Sequence, residues 1–546
     1  MAGLALLFFA GLDRGLWTPD EPREAGMGRE MLEHPGFVPL LNGKPFYEKP
    51  PLYYWALAGA FRLTGGPSAA AARSVSVLSC LLILAVTFRG LRRAAGAGPA
   101  SAAVLILATS LGFFRASQWI LLDPVLALWT TLAFWGAFEC LSGGSAAAWL
   151  LMVAGLSLAF WTKGLIGLAL FAPGWAVFAW QYRREGLLPR LRPFASAAVV
   201  VAAIAACLAG FYVADGRAGL YQFLWVNHVE RFLHPVATGH AEPWSYYLSA
   251  LPVALLPWSL LLPALFAPRF WRSGDSARTR LLRPFLGWTV AGGFLLLSAA
   301  STKRETYLLP LLPLLASLLG LAMDDVIRSE GAAGRFLSPL IRYVHPWAPA
   351  AWAFLPPLAA WIYTGTLGAA GAALLAVGAL LAAAGLLAAF RAGPSKAFPW
   401  QAASAFAGCA AVLLLVVPPL DRVKNLEPFV ERIGRVVPDG APLAALSADE
   451  TLYGIIPFVT GRDVAGLTED EFVARVLSGR RPAFVVEQAD PEHRFPRDPA
   501  ILGYEVVMED EFGPARALRL WRDACGCPRG TAETRTPAGR PSARRG

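Results

Sequence analysis

Long apolar runs recur along almost the whole chain, and no other feature limits its fold so severely. Thirteen are read, at roughly 2–12, 74–88, 100–114, 118–140, 146–162, 164–182, 194–213, 245–267, 284–300, 305–323, 347–365, 367–390 and 399–417. A helix needs about 20 residues to cross a bilayer. Lipid offers no partner to backbone N–H and C=O groups, so such runs predict helices that satisfy their own. Composition points the same way. Hydrophobic residues are 56% of the 546 and charged residues only 16%, against about 25% in soluble domains. A disordered chain and an outer-membrane barrel are excluded, the latter because its strands would alternate apolar and polar residues. The run 2–12 falls short of a full crossing. It carries no basic n-region and no cleavage signature, so it is read as a partial membrane helix and not a signal peptide.

The formal net charge of +10 would suit nucleic acid in a soluble protein, but here the cations mark membrane orientation. Arg89, Arg92, Arg93, Arg183, Arg184, Arg190, Arg192, Arg269, Arg272, Arg278, Arg280 and Arg283 fall on one side when spans are counted alternately. That side is cytoplasmic, which leaves the loops 13–73 and 214–244 and everything after 420 external. Of the six cysteines, Cys80, Cys140, Cys207 and Cys409 lie inside apolar runs. Only Cys525 and Cys527 are close together, so neither a disulfide framework nor a zinc spacing is present.

The chain divides into a membrane domain, 1–420, an external domain, 421–522, and a tail, 523–546, whose Pro, Gly, Ser, Thr and Arg predict disorder. In 421–522 acids become frequent. β-rich runs such as Ala483-Phe484-Val485-Val486 alternate with amphipathic stretches such as 427–437, predicting a small α/β domain. The Ala, Gly and Leu of 367–390 suit close helix packing.

Charged residues that interrupt the apolar background gather on the external side. In Trp17-Thr18-Pro19-Asp20-Glu21-Pro22-Arg23-Glu24, a capping box of Thr18 with Glu21 explains two residues and leaves Asp20 and Arg23 unassigned. In Phe46-Tyr47-Glu48-Lys49-Pro50-Pro51, Lys49 and the rings could be an interfacial anchor, yet the two prolines fix the backbone and present the cation. Asp123-Pro124 reads either as an N-cap or as an intramembrane carboxylate with a function. Lys163 sits in a very short turn, and His228 and Arg231 would share one helical face. Lys303 and Arg304 open a span with two cations against the helix dipole, so something anionic must compensate them. External cations (Lys49, Lys163, Arg231, Lys303) beside external carboxylates (Asp20, Asp123) are what transfer from an anionic lipid phosphate needs. Cations hold the leaving phosphate, and a carboxylate takes the proton of the attacking hydroxyl.

With these residues in place, the chain resembles bacterial lipid A aminoarabinose transferases and the related protein O-mannosyltransferases, polyprenyl-phosphate-sugar-dependent glycosyltransferases of the GT-C class. The resemblance rests on Pro19-Asp20-Glu21-Pro22-Arg23-Glu24, Arg29-Glu30-Met31, Phe46-Tyr47-Glu48-Lys49-Pro50, Leu122-Asp123-Pro124, Thr162-Lys163-Gly164, His228 with Arg231-Phe232, and Lys303 with Tyr307-Leu308-Leu309-Pro310, in that order. It implies a GT-C-like α-helical polytopic membrane protein of about thirteen transmembrane helices with a small C-terminal α/β extracytoplasmic domain. It further implies Asp20 as the catalytic carboxylate and Asp123 as the second acid. Lys49, Arg231, Lys303, Tyr307, Lys163 and Arg23 become the donor-phosphate set, and Glu48 with His228 a divalent-metal site. The implied partners are a polyprenyl-phosphate sugar donor, an acceptor (lipid A, another glycolipid or a protein hydroxyl) and membrane lipids, with no nucleic acid. The implied location is the bacterial inner membrane with the site on its periplasmic face. Where the family often has Arg-Tyr, this chain has Arg23-Glu24, so an aromatic contact is missing and the sugar is not fixed as aminoarabinose. The rival from another class is a flippase for a lipid-linked sugar, which calls for inverted repeats and broken midplane helices. A nucleotide-sugar donor is opposed by the lack of a glycine-rich fingerprint.

Overall fold

The computed structural model describes residues 2–230, 242–272, 274, 276–328, 344–366, 368–446, 448–489, 499–512 and 516–524. They form two compact units. The larger comprises Met1–Arg432 with Asp449–Asp463, the smaller Ile433–Ala448 with Val464–Gly546.

Each of the thirteen apolar runs falls on helix in the larger unit. Among the described residues eight helices are long and apolar enough to cross a membrane, and two bent pairs raise the number to ten. The site is built from the following: α1 (Ala2–Phe9), α2 (Asp20–Glu33), α3 (Leu52–Thr64), α4 (Ala69–Ala95), α5 (Ala97–Thr109), α6 (Leu111–Ser117), α7 (Asp123–Leu141) and α8 (Ala146–Lys163). After them come α9 (Ile166–Ala169), α10 (Ala172–Gln181), α11 (Pro193–Tyr221), α12 (Tyr246–Ala254), α13 (Ala277–Ala299) and α14 (Leu312–Arg328). Helix α14 is preceded by a 3-10 turn, Glu305–Leu311. The bent pairs are α5 with α6, turned by 66°, and α12 with the 3-10 segment Ser259–Phe266, turned by 117°. The remaining three runs fall on α1, on α9 with α10, and on Trp347–Thr364. These are helical but too short or too polar to qualify as spans of their own.

Local chemistry sets the boundaries. Ser68, Ser145 and Ser276 cap α4, α8 and α13 by accepting the N–H groups of Ala71, Ala148 and Thr279. Gly96, at φ 98°, lets α4 turn directly into α5. Helices α7 and α8 approach closely because of glycine. A Cβ on Gly155 would lie 2.6 Å from the backbone N of Ala133, and one on Gly136 2.5 Å from that of Met152. Apolar side chains such as Ile83, Ile106, Phe134 and Leu315 form the core between α4, α5, α7 and α14. The loop 13–73 is itself folded, with α2, α3 and a two-residue hairpin pairing β1 (Leu40–Leu41) with β2 (Lys44–Pro45).

The smaller unit holds β3 (Leu443–Leu446), β4 (Ala465–Leu467), β5 (Phe484–Ala489), β6 (Tyr504–Phe512) and β7 (Arg516–Asp523). They make one sheet in the order β4-β3-β5-β7-β6, parallel at β3 and antiparallel at β7. The helix Glu469–Leu477, started by a full capping box of Thr468 and Glu471, packs Phe472 against Leu446, Val485 and Trp521. This is the small α/β fold expected within 421–522. Its compact part begins at Ile433, and Asp449–Asp463 belong to the membrane unit.

Candidate active site

The capping box expected of Thr18 and Glu21 does not form. Pro19 stands at the N-cap of α2 and no side chain caps it. Glu21 turns inward, where Arg73 donates to it from Nε (2.9 Å) and Nη2 (2.6 Å). Both residues are fully buried. The same carboxylate accepts the N–H groups of Trp17 (2.8 Å) and Ile120 (3.0 Å). Arg73 spends its other donors on the carbonyls of Leu12, Arg14 and Gly15. A buried ion pair persists only when its remaining hydrogen-bonding capacity is filled, and here it is filled by the chain entering α2 and by the segment leading to α7.

That pair fixes the first turn of α2, whose opening residue is Asp20. The Asp20 carboxylate is 5% exposed and accepts both Nη groups of Arg304, with Arg23 Nη2 at 3.3 Å. Arg304 is the cation that needed an anion at the span start, and Asp20 supplies it. Burial works against the Arg304 charge, but the hydrogen-bonded Asp20, then Tyr307 and Asp123, more than offset it, so the guanidinium holds its proton more tightly than usual. Arg304 thus lies in the field of Asp20, Tyr307 and Asp123 together. Arg23 is held among three carboxylates, with Glu24 and Glu450 each at 2.7 Å beside Asp20. It does not line the cavity that opens beside Asp123.

Asp123 is the first residue of α7, and no side chain caps that helix. Its carboxylate instead accepts from Lys163 Nζ at 2.5 Å, and the Lys163 ammonium lies 4.2 Å from the centre of the Tyr307 ring. The N-cap reading of Asp123 is therefore replaced by an ion pair joining the start of α7 to the end of α8. Next to it opens a cavity of about 410 Å³. Glu48, Lys49, Asp123, Lys163 and Tyr307 bring its charge and hydrogen bonding, while Leu126, Leu165, Ile166, Leu296, Leu297 and Pro310 make an apolar wall. Lys49 and Glu48 are paired at 3.4 Å. The Thr302 hydroxyl, enclosed and without a hydrogen-bond partner, lines the same cavity.

Lys303 departs from expectation. It is 3% exposed, and its Nζ donates to the carbonyls of Glu242 (2.8 Å) and Ala300 (2.5 Å) instead of lining the cavity. Arg231 lies outside the described residues, as does the side chain of His228, although its neighbours Asn227 and Val229 line the cavity. The metal site expected at Glu48 and His228 includes a side chain, that of His228, outside the described residues. No group of three His, Cys, Asp or Glu side chains able to hold an ion occurs among them, and the one placed partner, Glu48, is paired with Lys49.

Residues 14–214 match the family described as dolichyl-phosphate-mannose-protein mannosyltransferase. An undecaprenyl phosphate-alpha-4-amino-4-deoxy-L-arabinose arabinosyl transferase of Edwardsiella ictaluri is 33% identical over 332 residues, which is 59% of this chain and 58% of that protein. A protein of the same description from Pseudomonas savastanoi pv. phaseolicola is 33% identical over 59% of this chain and 60% of its own length. The matched stretch thus spans less than two thirds of these relatives. The crystal structure of ArnT from Cupriavidus metallidurans bound to undecaprenyl phosphate superimposes with a TM-score of 0.77 at 20% identity, covering 95% of this chain and 96% of that one. The chain has the GT-C-like fold of ArnT and is similar to aminoarabinose transferases over part of its length. The oligosaccharyltransferase of Archaeoglobus fulgidus shares the fold more distantly, with a TM-score of 0.51 at 11% identity.

Several residues of the site carried too weak a signal to be assigned from sequence. Arg304 was visible as a cation without an anion but not as the partner of Asp20. Arg73 sits among alanines and serines at the start of a span, and nothing in its spacing announces Glu21. Glu450 is more than 400 positions from the arginine it meets.

Proposed function

We propose that this protein transfers a sugar from a polyprenyl-phosphate carrier to an acceptor hydroxyl at the external face of the bacterial inner membrane. The carrying observation is the cavity in which Lys49, Lys163, Tyr307 and Asp123 stand beside a wall of leucine and isoleucine. One end suits a phosphate and the other an isoprenoid chain. Undecaprenyl phosphate, the carrier named for the arabinosyl transferase relatives and bound in the ArnT crystal structure, supports the same reading.

In this reading Lys49 and Tyr307 hold the carrier phosphate, and Lys163, steadied by Asp123, adds a second positive charge. The acceptor oxygen bonds to the anomeric carbon of the sugar while the bond from that carbon to the phosphate oxygen breaks. The phosphate leaves with the electron pair, stabilised by the cations and needing no proton. The hydroxyl proton passes to Asp20, which Arg304 and Arg23 orient. The flippase reading has less support, because Asp123, Lys163 and Tyr307 stand at the ends of helices and not at broken midplane segments.

The deciding experiment is mass spectrometry of lipid A, other glycolipids and glycoproteins from cells with and without the protein, with the carrier pool measured alongside. A sugar missing from one acceptor and a build-up of sugar-loaded carrier are expected on deletion. Unchanged acceptors and carrier would overturn the proposal. An accumulation of carrier on the cytoplasmic side alone would favour the flippase.

A further inference from the structure

The hydroxyls of the spanning helices share one habit. Thr109, Ser110, Thr131, Thr162, Thr289 and Ser317 each donate to the carbonyl four residues earlier, at 2.6–2.7 Å. That bond satisfies an O–H where no water reaches it. Thr302 departs from the habit. Helix α13 ends at Ala299, and Ala300 leaves helical geometry at φ −65°, ψ 143°. The chain turns away there, and the Ala300 carbonyl is already taken by Lys303 Nζ at 2.5 Å.

The Thr302 Oγ1 is enclosed, has no hydrogen-bond partner among the described residues, and lines the donor cavity. Thr87, Ser142, Ser157, Ser298 and Ser404 are enclosed and unpartnered too, yet none of them lines that cavity. An enclosed donor without an acceptor works against folding. An acceptor that arrives with the cavity's occupant relieves that cost, so it gains more at Thr302 than at a hydroxyl already bonded. The order of the lining shows which acceptor. Leu296, Leu297 and Ala300 come first along the chain, then Ser301 and Thr302, then Tyr307. A lipid-linked sugar runs from tail to phosphate to sugar. Under the proposed function, on which this inference rests, the tail lies against the leucines and the phosphate at Tyr307 and Lys49. Thr302 stands between them, and the first oxygens beyond an isoprenoid are those of the phosphate.

We infer that the Thr302 hydroxyl donates a hydrogen bond to an oxygen of the carrier phosphate, as the neutral member of a clamp whose charges are Lys49 and Lys163. The division of labour follows from the side chains. A lysine ammonium is a point charge on a flexible stem, so it attracts a phosphate without fixing its place. A threonine is branched at Cβ and stiff at χ1, so its O–H sets how far the phosphate travels along the cavity.

The test is a titration of the purified full-length protein in detergent with undecaprenyl phosphate and, in a second arm, with undecaprenol, which has the tail and no phosphate. Wild type should hold undecaprenyl phosphate the more tightly. Thr302→Val keeps the shape and removes the O–H. It should weaken undecaprenyl phosphate about tenfold, the scale of one hydrogen bond to a charged group, and leave undecaprenol binding unchanged. Its ligand-free melting temperature should equal or exceed that of wild type, because an unsatisfied donor is gone. Thr302→Ser, which keeps the O–H, should bind within about threefold of wild type. Unchanged affinity of Thr302→Val for undecaprenyl phosphate overturns the proposal alone, and a lowered melting temperature beside it would give the hydroxyl a partner within the protein. An equal loss of undecaprenol would assign the effect to the shape of the cavity and overturn the proposal too. Wild type that held the phosphate no more tightly than the alcohol would overturn the carrier reading itself, and this inference with it.

Discussion

A carboxylate that is to accept a proton must be held in place without being neutralised. Asp20 meets that demand through two arginines. Replacing it by Asn keeps the shape and removes the basicity, so Asp20→Asn should lower turnover by at least about 10²-fold, the scale of general-base catalysis. Carrier binding should stay near wild type, while the melting temperature should fall, because Arg304 and Arg23 lose the charge of a buried partner. Near-normal turnover in the purified variant would pass the role to Asp123. Lys49→Ala should weaken polyprenyl-phosphate binding by about 1.5–3 kcal/mol, read by titration with the sugar-free carrier. Unaltered affinity would remove Lys49 from the phosphate clamp. The pair Glu21–Arg73 does structural work, and breaking it through Arg73→Met should destabilise by about 3–5 kcal/mol, seen as a large fall in melting temperature in detergent. Glu30 offers a pH effect. Burial holds its carboxyl above the ordinary value of 4.5, with the Gly43 N–H pulling the other way. The unfolded chain ionises it more easily than the folded one, so its ionisation opposes folding at neutral pH. That opposition fades as pH falls through the raised value toward 4.5. Glu30→Gln keeps an acceptor for Gly43 and should melt higher than wild type at pH 7, with no gain at pH 4. Asp20, Asp123, Lys49 and Lys163 stood out in the sequence because charge that interrupts an apolar background must be justified, whereas Tyr307 was marked only by the family resemblance. Arg23 and Lys303 were placed differently from their reading, because spacing shows that a cation is present but not which acceptor, three or 61 residues away, it will choose.

Helices were legible wherever lipid dictated them. Apolar length alone located every one of the thirteen runs, and Pro124 explains why α7 opens at Asp123 and not at the start of its apolar run. What lipid does not dictate was harder to read. The segment 449–463 has the composition of the external domain, yet its helix α15 (Glu450–Thr460) packs on α2 within the membrane unit. The approach is backbone on backbone. A Cβ on Gly26 would lie 2.8 Å from the Cα of Gly454, and one on Gly454 2.7 Å from the Cα of Arg23. Gly454→Val should therefore push α2 away at an overpacking cost of about 1–3 kcal/mol. Because α2 carries Asp20, kcat should fall far more than the melting temperature. A variant that melted lower with full kcat would show that α15 does not position the site.

For the molecule as a whole, the external placement of Asp20, Lys49, Lys163, His228, Lys303 and the domain 421–522 comes from the arginine-rich loops and can be checked directly. In a background without native cysteines, single cysteines at Lys44, Arg217 and Asp439 should react with an impermeant reagent in intact spheroplasts. Cysteines at Arg183 and Arg280 should react only after lysis. Labelling of 217 or 439 only after lysis, with 44 labelled before, would split the site across the bilayer and end the transferase mechanism. The return of α15 to α2 has a further consequence, for synthesis. The ribosome delivers Arg23 early and its partner Glu450 427 residues later, long after every residue lining the donor cavity has been made. On the proposed function, a nascent chain would hold its carrier lipid before it could react with it. A chain ended at residue 432 should still bind polyprenyl phosphate within about threefold of wild type while transferring no sugar. On that reading, sugar transfer waits until helix α15 has been translated.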